Sequence, residues 1–261
     1  MTNRVFISGA NGYVGRFLKL NLDAAGFNTY PLSLFKDGKL IRFEASGDFT
    51  DACLVHLSES ANANTAQLSS ENLYTAQKNI ECFRAEFKKI IYFSSCAVYD
   101  TVISGKHTEA STRFSQAPYA AFKLAIERLL RPTKDLIIRP SNVYAKRLKR
   151  GTILSDLLAS TKYGGIPSLR KSNVKIDFIN LKYVSRMVEM ALSHDICGVL
   201  NCTSGQWVTG SSLISAFSEQ SGRDAVQSSA YSNDKLLGFL KIERIPTIIE
   251  EMERGEVFYS E

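Results

Sequence analysis

The sequence lacks several features that would assign it to a special class of protein. It has no run of about 18 apolar residues, so no membrane-spanning helix is expected. It has no Cys-x-x-Cys pair, and its five cysteines are an odd number, which argues against a disulfide framework and against a metal site. It also has no long basic stripe. We therefore expect reduced thiols in a cytoplasmic protein, no metal, and neither a nucleic acid nor a membrane as partner.

What is present is an ordinary globular composition. Apolar residues make up 44% and charged residues 22% of the 261 residues, which excludes a disordered tail, a collagen and a small disulfide-stapled scaffold. A chain of this length can bury a core of its own. The net charge of +6 is spread along the chain, and it fits an anionic small ligand at least as well as a nucleic acid.

Short apolar runs alternate along the chain with segments of helical periodicity. Apolar strands between helices indicate a parallel sheet covered on both faces, and right-handed crossovers then give a doubly wound, Rossmann-like α/β fold. The stretch 34–52 is short for a strand and a crossover helix, so a trimmed connection is expected there. We predict strands at 4–8, 28–33, 40–44, 53–57, 89–95, 135–140 and 198–202, and helices at 13–25, 70–86, 118–131 and 183–193.

The last part of the chain is patterned more loosely than the rest. We expect a dinucleotide-binding domain formed by 1–144 and 176–203. A small substrate-binding lobe is expected from 145–175 and 204–261.

A glycine-rich turn follows the first predicted strand and begins a predicted helix. Its sequence is Gly9-Ala-Asn-Gly12-Tyr-Val-Gly15. Glycines permit a tight turn and let backbone N–H groups approach a pyrophosphate, and the helix N-terminus adds a partial positive charge. The alternative is a glycine turn without a ligand, but the strand–turn–helix context favours a dinucleotide site.

A tyrosine and a lysine lie one helical turn apart in the sequence Tyr119-Ala-Ala-Phe-Lys123. A free tyrosine has a pKa of about 10 and exchanges protons poorly at neutral pH. A nearby ammonium favours the phenolate, so Tyr119 could give or take a proton at a carbinol carbon. Taken alone, this spacing is common by chance and usually belongs to a solvated helix face.

A pair of serines, Ser94 and Ser95, ends the strand predicted at 89–95. Ligands of open α/β sheets lie beyond the carboxyl ends of the strands. Ser95 could there orient a substrate oxygen toward Tyr119. The alternative is that the hydroxyls only cap the end of the strand.

Together these motifs resemble the extended short-chain dehydrogenases/reductases, and best among them the NAD(P)-dependent epimerase/dehydratase family that acts on nucleotide sugars. The order and spacing of the glycine turn, of Ser95 and of Tyr119-x-x-x-Lys123 carry the resemblance. Similar segments extend it over nearly the whole chain, at 54–57, 139–144, 177–179, 200–202 and 233–239.

The resemblance implies roles for the matching residues. Tyr119 would be the acid–base, Lys123 would hold the nicotinamide ribose and favour the phenolate of Tyr119, and Ser95 would polarise the substrate oxygen. Asn142 would approach the substrate diphosphate, and Cys96, next to Ser95, would lie in the substrate site as a packed small residue and not as a nucleophile. The implied cofactor-binding residues are Gly9, Asn11, Gly12, Tyr13, Val14, Gly15, Ser33, Lys36, Leu57, Lys123 and Pro140.

One departure from the family pattern bears on the cofactor. NAD-binding relatives carry an acid at the end of the second strand, where it accepts hydrogen bonds from the ribose. Ser33 stands at that position, and Lys36 and Arg42 are near enough in sequence to reach a 2′-phosphate. We therefore expect NADP rather than NAD, with NAD as the alternative. Lys36 and Arg42 could instead be merely solvated.

The resemblance implies an NAD(P)H-dependent oxidoreductase that reduces a keto group, at C4, of a nucleotide-activated sugar. The first alternative is a nucleotide-sugar epimerase with tightly held NAD. A dehydratase is less expected, because Cys96-Ala97 stand where dehydratases carry an Asp-Glu pair. A non-catalytic NADP(H)-binding sensor or scaffold is a further alternative, against which the intact Ser95, Tyr119 and Lys123 argue. A homodimer through the helices at 70–86 and 118–131 is implied by analogy.

Overall fold

A six-stranded parallel sheet lies at the centre of the protein. The computed structural model describes residues 4–37, 39–59, 70–99, 106–111, 117–148, 152–162, 175–217 and 227–256. The strands are β1 (Arg4–Ser8), β2 (Asn28–Leu32), β3 (Phe35–Lys36), β4 (Lys39–Leu40), β5 (Cys53–His56), β6 (Lys89–Phe93), β7 (Leu136–Pro140), β8 (Asn142–Tyr144), β9 (Lys175–Asn180), β10 (Gly198–Cys202), β11 (Gln206–Thr209) and β12 (Gln227–Ser228). The α-helices are α1 (Tyr13–Ala24), α2 (Ser70–Glu86), α3 (Pro118–Glu127), α4 (Ile153–Lys162), α5 (Leu181–Ser193), α6 (Gly210–Phe217), α7 (Asp234–Leu240) and α8 (Ile248–Glu253).

The main sheet has the strand order β10-β7-β6-β5-β1-β2, and every neighbouring pair in it is parallel. Successive residues of a strand point to opposite faces, so each central strand contributes to two cores. Val55 and Ile91 pack on the face covered by α1 and α5, whereas Leu54 and Ile90 pack on the face covered by α2 and α3. The predicted doubly wound α/β fold is therefore confirmed.

The prediction of a strand at 40–44 is wrong. Only Lys39–Leu40 is extended there, and it pairs with Phe35–Lys36 as a two-stranded hairpin outside the main sheet. The following residues are held by a side chain instead of a strand. The amide of Asn79 on α2 accepts a hydrogen bond from Phe43 N (2.7 Å) and donates one to Ile41 O (3.0 Å). The expected trimmed connection is confirmed, since the described residues of 33–52 contain no crossover helix.

A second sheet has four strands in the order β12-β11-β9-β8. The chain leaves β7 at Pro140 and enters β8 at Asn142, so Ser141 lies between the two sheets. A separate apolar cluster, which includes Leu154, Leu213 and Ile248, packs helices α4, α6 and α8 against this sheet. Strand β9 belongs to the second sheet, although the predicted domain boundary at 176 assigns its residues to the dinucleotide-binding part.

No helix in the part of the chain that the structure describes is both long enough and apolar enough to cross a membrane.

Candidate active site

The carboxyl ends of the parallel strands meet at one edge of the main sheet, and candidate residues follow several of them. Gly9 follows β1, Leu57 and Glu59 follow β5, and Ser95 follows β6. Helix α3, which carries the Tyr119-x-x-x-Lys123 motif, connects β6 to β7. The topology therefore brings the glycine turn, the serine and the tyrosine–lysine pair to the same edge.

The glycine turn after β1 is tight and leaves little room for a side chain at Gly9 or Gly12. Gly9 has a φ of 73°, which favours glycine, and its carbonyl accepts a hydrogen bond from Gly12 N at 2.9 Å. A Cβ at Gly12 would lie 3.2 Å from that oxygen. A Cβ at Gly9 would lie 3.3 Å from the backbone nitrogen of Ser58, so the turn abuts the end of β5.

The N-terminus of α1 is open toward an anion. Its N-cap is Gly12, which has no side chain to bind the first amides, and the first turn carries no acidic residue. The amides of this turn and the helix dipole are therefore free to bind a negative group. Because Gly9 and Gly12 carry no side chain, a pyrophosphate can approach the amides of this turn, so the residues present fit a dinucleotide. Of the predicted binding residues here, Asn11 and Gly12 are exposed, and Val14 is half-buried.

The hydroxyl of Tyr13 binds the chain segment that follows β8. Its hydroxyl accepts a hydrogen bond from Ala145 N (2.7 Å) and donates one to Arg147 O (2.8 Å). Burial raises the pKa of Tyr13, and the bond from Ala145 offsets this only in part. The side chain thus connects the start of α1 to the segment after β8.

Tyr119 and Lys123 lie on the same face of α3. Pro118 begins this helix, in a position where its missing N–H costs nothing. The Nζ of Lys123 lies 5.8 Å from the ring centroid of Tyr119. Lys123 is buried, 6% exposed, and its ammonium donates a hydrogen bond to Phe93 O at 2.8 Å. The ring of Tyr119 is only half-buried, so its hydroxyl can meet a substrate.

Glu59 is a buried partner of Lys123 that the sequence interpretation missed. The ammonium of Lys123 donates a hydrogen bond to Glu59 Oε2, and the hydroxyl of Tyr92 donates one to Glu59 Oε1 at 2.8 Å. The side chain of Glu59 is 3% exposed. Burial by itself lowers the pKa of Lys123, but the charge of Glu59 outweighs it and the pKa is raised. The sequence signal was an acid just beyond an apolar strand end.

Two buried residues next to this pair, His56 and Tyr92, are uncharged. Burial lowers the pKa of His56 to about 4, although the charge of Glu59 opposes the shift. Nδ1 of His56 lies 2.7 Å from Ser8 Oγ. Burial and the neighbouring Glu59 raise the pKa of Tyr92 well above its ordinary value. His56 and Tyr92 are therefore neutral at pH 7, and the charges there belong to Glu59 and Lys123.

The side chains of Ser95 and Cys96, which follow β6, have different surroundings. The hydroxyl of Ser95 accepts a hydrogen bond from Ala97 N at 3.1 Å and caps the short 3-10 helix Cys96–Val98. Its own hydrogen remains available for a substrate oxygen. The thiol of Cys96 is buried and donates to Arg139 O at 3.2 Å, and burial raises its pKa well above the ordinary value. This placement does not support the predicted substrate contact of Cys96.

The remaining predicted residues lie at other positions of the strand ends. Leu57 is half-buried, and its amide donates to Ser8 Oγ at 3.0 Å. Pro140 ends β7 and is half-buried. Asn142 is exposed, and its amide group donates to the carbonyl of Asp177 at 3.1 Å. Asn142 can therefore still accept a hydrogen bond from a ligand.

Ser33 and Lys36 lie beyond the end of β2. Both are exposed, and the hydroxyl of Ser33 donates to Phe35 O at 3.2 Å. The charge of Arg42 acts on Lys78 and Cys82 of α2. Arg42 therefore lies beside that helix, which does not support its expected approach to a 2′-phosphate. Ser33 is the residue that directly follows β2, as predicted.

The family model described as "NAD dependent epimerase/dehydratase family" matches residues 5–203, more than half of the chain. The chain belongs to this family. The predicted resemblance is therefore confirmed, and the protein is an NAD(P)-dependent enzyme of the extended short-chain dehydrogenase/reductase type. No curated protein sequence gives a significant match.

Solved structures with the same fold include several nucleotide-sugar enzymes. MoeE5 in complex with UDP-glucose and NAD has a TM-score of 0.74 and 20% identity, with 96% of each chain covered. A UDP-N-acetylglucosamine 4-epimerase from Bacillus cereus has a TM-score of 0.76 and 16% identity, and the match covers 97% of this chain and 95% of that one. The dehydratase TunA, from tunicamycin biosynthesis, has a TM-score of 0.75 and 21% identity, with 97% and 96% covered.

At these identities the structural likeness establishes the fold of this epimerase/dehydratase and nothing finer. The likeness nevertheless extends over both sheets, since almost the whole chain is covered in each comparison.

Proposed function

We propose that this enzyme uses NADPH to reduce the keto group, at C4, of a nucleotide-activated sugar. The observation that carries the proposal is the position of Tyr119, half-buried and one helical turn before the buried ammonium of Lys123. A phenol beside an ammonium exchanges a proton more readily than a free tyrosine does. A carbonyl that gains a hydride needs such a proton donor.

In the proposed step, the hydroxyl of Tyr119 donates its proton to the keto oxygen while the carbonyl carbon becomes a carbinol carbon. When bound, the reduced nicotinamide supplies the hydride that this carbon receives. The products are the hydroxy sugar and the oxidised cofactor. Tyr119 then regains its proton from solvent, so protons and electrons balance.

Ser95 is proposed to hold the keto oxygen in place. Its oxygen already accepts a hydrogen bond from Ala97 N, so the hydroxyl hydrogen is left to donate. A donor aimed at the oxygen stabilises the negative charge that develops there during hydride transfer. Ser95 and Tyr119 would then bind the same oxygen from the end of β6 and from α3.

Lys123 is proposed to donate a hydrogen bond to the nicotinamide ribose through an N–H that its partners in the protein do not use. An ammonium has three donors. In the described structure, Glu59 and the carbonyl of Phe93 take two of them. One N–H of Lys123 therefore remains for the ribose, although the ammonium also forms an ion pair with Glu59.

The preference for NADPH rests on Ser33. The residue that directly follows β2 is a serine rather than an acid, and a carboxylate at this place would repel a 2′-phosphate. The exposed Lys36 in the next hairpin is proposed to offer the phosphate a positive charge. A cofactor that dissociates after each turnover suits a net reduction.

A nucleotide-sugar epimerase is the second candidate. It is favoured by the family assignment and by the structural likeness to a UDP-N-acetylglucosamine 4-epimerase. In that reaction Tyr119 would take a proton first and return it afterwards, and NAD would stay bound throughout. The two candidates thus differ in how tightly the cofactor is held.

The first experiment is a native mass spectrum of the freshly purified enzyme, followed by addition of each cofactor. An empty enzyme that takes up NADPH supports the reductase, and a panel of 4-keto nucleotide sugars is then tested for NADPH consumption. Stoichiometric NAD(H) carried through purification would replace the reductase by the epimerase. An enzyme that takes up neither cofactor would contradict both candidates.

We also propose that two copies pair through α2 and α3 in the cytoplasm. Tyr74 on α2 is 60% exposed, which places a large aromatic side chain on that helix surface. The mass from light scattering should be twice that of the chain, and Tyr74→Asp should reduce it to that of one chain.

The small lobe at 145–175 and 204–261 is proposed to bind the sugar nucleotide.

A further inference from the structure

Glu59, Lys123 and Tyr92 form a buried chain of hydrogen bonds beneath Tyr119. The carboxylate binds the ammonium of Lys123 through one oxygen and the hydroxyl of Tyr92 through the other. The side chains of Glu59 and Lys123 are 3% and 8% exposed. Burying two charges is costly, and such a pair often adds little stability compared with apolar residues of the same volume. The buried pair is therefore explained better by a functional role than by stabilisation.

We propose that Glu59 is a positioning residue that keeps Tyr119 a proton donor by holding the ammonium of Lys123 and offsetting much of its charge. The inference rests on the proposed reductase function. An unpaired ammonium favours the phenolate of a neighbouring tyrosine, whereas a carboxylate bound to that ammonium reduces this influence. Tyr119 then holds its proton more firmly than it would beside an unpaired ammonium, and a reduction needs this proton.

The other charged and titratable groups near this cluster leave the effect with Glu59. His56 on β5 is neutral above a pH of about 4, and Tyr92 on β6 is neutral because its pKa is raised. The charge of Glu127 on α3 also raises the pKa of Lys123, but less than that of Glu59, and both oxygens of Glu127 accept hydrogen bonds from the buried guanidinium of Arg139, at 2.7 and 2.9 Å. Glu59 is thus the anion bound directly to Lys123.

The pair also fixes where the lysine points. Glu59 and the carbonyl of Phe93 hold the ammonium from the ends of β5 and β6. This leaves the Nζ at 5.0 Å from the ring centroid of Tyr92 and at 5.8 Å from that of Tyr119. Without Glu59, the side chain of Lys123 could rotate toward the phenol oxygen of Tyr119. This would lower the proton affinity of Tyr119 further.

The test is a tyrosinate titration of the cofactor-free enzyme by ultraviolet difference absorbance. The Tyr119 step is identified as the part of the curve that Tyr119→Phe removes in each background. Glu59→Gln keeps the shape and the hydrogen-bonding oxygen but removes the charge. Its Tyr119 step should move to lower pH by about one unit, a tenfold loss of proton affinity. Glu59→Asp, which retains the charge, should return the step toward the wild-type position.

Tyr92 must be controlled separately, because removing the charge of Glu59 lowers its proton affinity too. The titrations are therefore repeated in a Tyr92→Phe background, where only the Tyr119 step should shift. A Tyr119 step that stays in place or moves to higher pH in Glu59→Gln would overturn the inference.

A second comparison covers the case in which Glu59→Gln does not fold. Lys123→Met leaves Glu59 as an anion, and Lys123→Met combined with Glu59→Gln removes both charges, a change that buried pairs tolerate better. The Tyr119 step of the double variant should lie close to that of the wild type, because the two charges removed offset each other at Tyr119. A step shifted to higher pH by about one unit or more would mean that the wild-type ammonium is not offset, and it would contradict the proposal. These titrations need neither substrate nor cofactor, so their failure leaves the reductase function standing, and the reverse also holds.

Discussion

Gly15 lies so close to Gly9 that a Cβ at Gly15 would be 2.1 Å from the carbonyl oxygen of Gly9. The contact is between backbone atoms, so no side-chain movement relieves it. The same carbonyl binds the amide of Gly12. The glycine turn and the first turn of α1 therefore form one rigid unit around a single oxygen.

Gly15→Ala should destabilise the protein by more than about 2 kcal/mol and abolish dinucleotide binding, because α1 must move away from the turn. Gly238→Ala on α7 is the matched control, since a Cβ added there would meet nothing within 4 Å. It should stabilise by about 0.5–1 kcal/mol. Urea unfolding and cofactor dissociation constants measure both effects, and equal stability of the two variants would contradict the contact.

Tyr119→Phe should lower turnover by about 10²- to 10⁴-fold, the range for loss of a general acid. The cofactor dissociation constant should change by less than about threefold, because the glycine turn and Lys123 are untouched. Tyr74→Phe, a change of an exposed tyrosine on α2, serves as the control and should leave turnover unchanged. Rapid turnover in Tyr119→Phe would remove Tyr119 from the mechanism.

Ser33→Asp should shift the cofactor preference from NADPH toward NADH by about tenfold or more. The new carboxylate would repel the 2′-phosphate and accept hydrogen bonds from a free ribose diol. The dissociation constants of both cofactors, measured by calorimetry on wild type and variant, give the ratio directly. A wild-type enzyme that already prefers NADH would refute the proposed preference.

Stability should fall as the pH is lowered from about 6.5 toward 4, because of His56. Burial holds the pKa of His56 at about 4 in the folded protein, against 6.5 for the ordinary side chain. Between these values the unfolded chain binds the proton and the folded chain does not, so stability is lost by up to roughly 3 kcal/mol. Below pH 4 this residue causes no further loss.

His56→Asn tests this pH dependence, since the amide can still bind Ser8 but does not titrate. The free energy of unfolding, measured in urea at several pH values, should decline less steeply in this range than in the wild type. Parallel curves for the two proteins would mean that another group carries the loss.

The parts of the fold and of the site that depend on local sequence were predictable. The glycine turn could be found because its residues are adjacent, and Tyr119 and Lys123 because a helix fixes their spacing. The segment 40–44 failed as a strand although it contains Ile41 and Phe43. Its hydrogen bonds go to the side chain of Asn79, and no local pattern reveals a partner so distant in sequence.

Glu59 was missed for the same physical reason. Its partner Lys123 is 64 residues away in the chain, and only the pairing of β5 with β6 brings them together. A single acid after an apolar strand has many interpretations from sequence, most of them solvated. The interior position of the Cys96 thiol was likewise decided by packing, since it depends on the carbonyl of Arg139 on the neighbouring strand β7.

The trimmed connection leaves β2 as the outer strand of the main sheet, paired with β1 among the strands that the structure describes. An outer strand offers unpaired amides to which a second chain can add. Pro31 lies in β2, one residue before its end, and has no N–H to offer. The short connection therefore leaves β2 as an exposed sheet edge, and Pro31 interrupts the row of N–H donors along it. Such an edge resists the pairing of strands from different molecules that leads to aggregates.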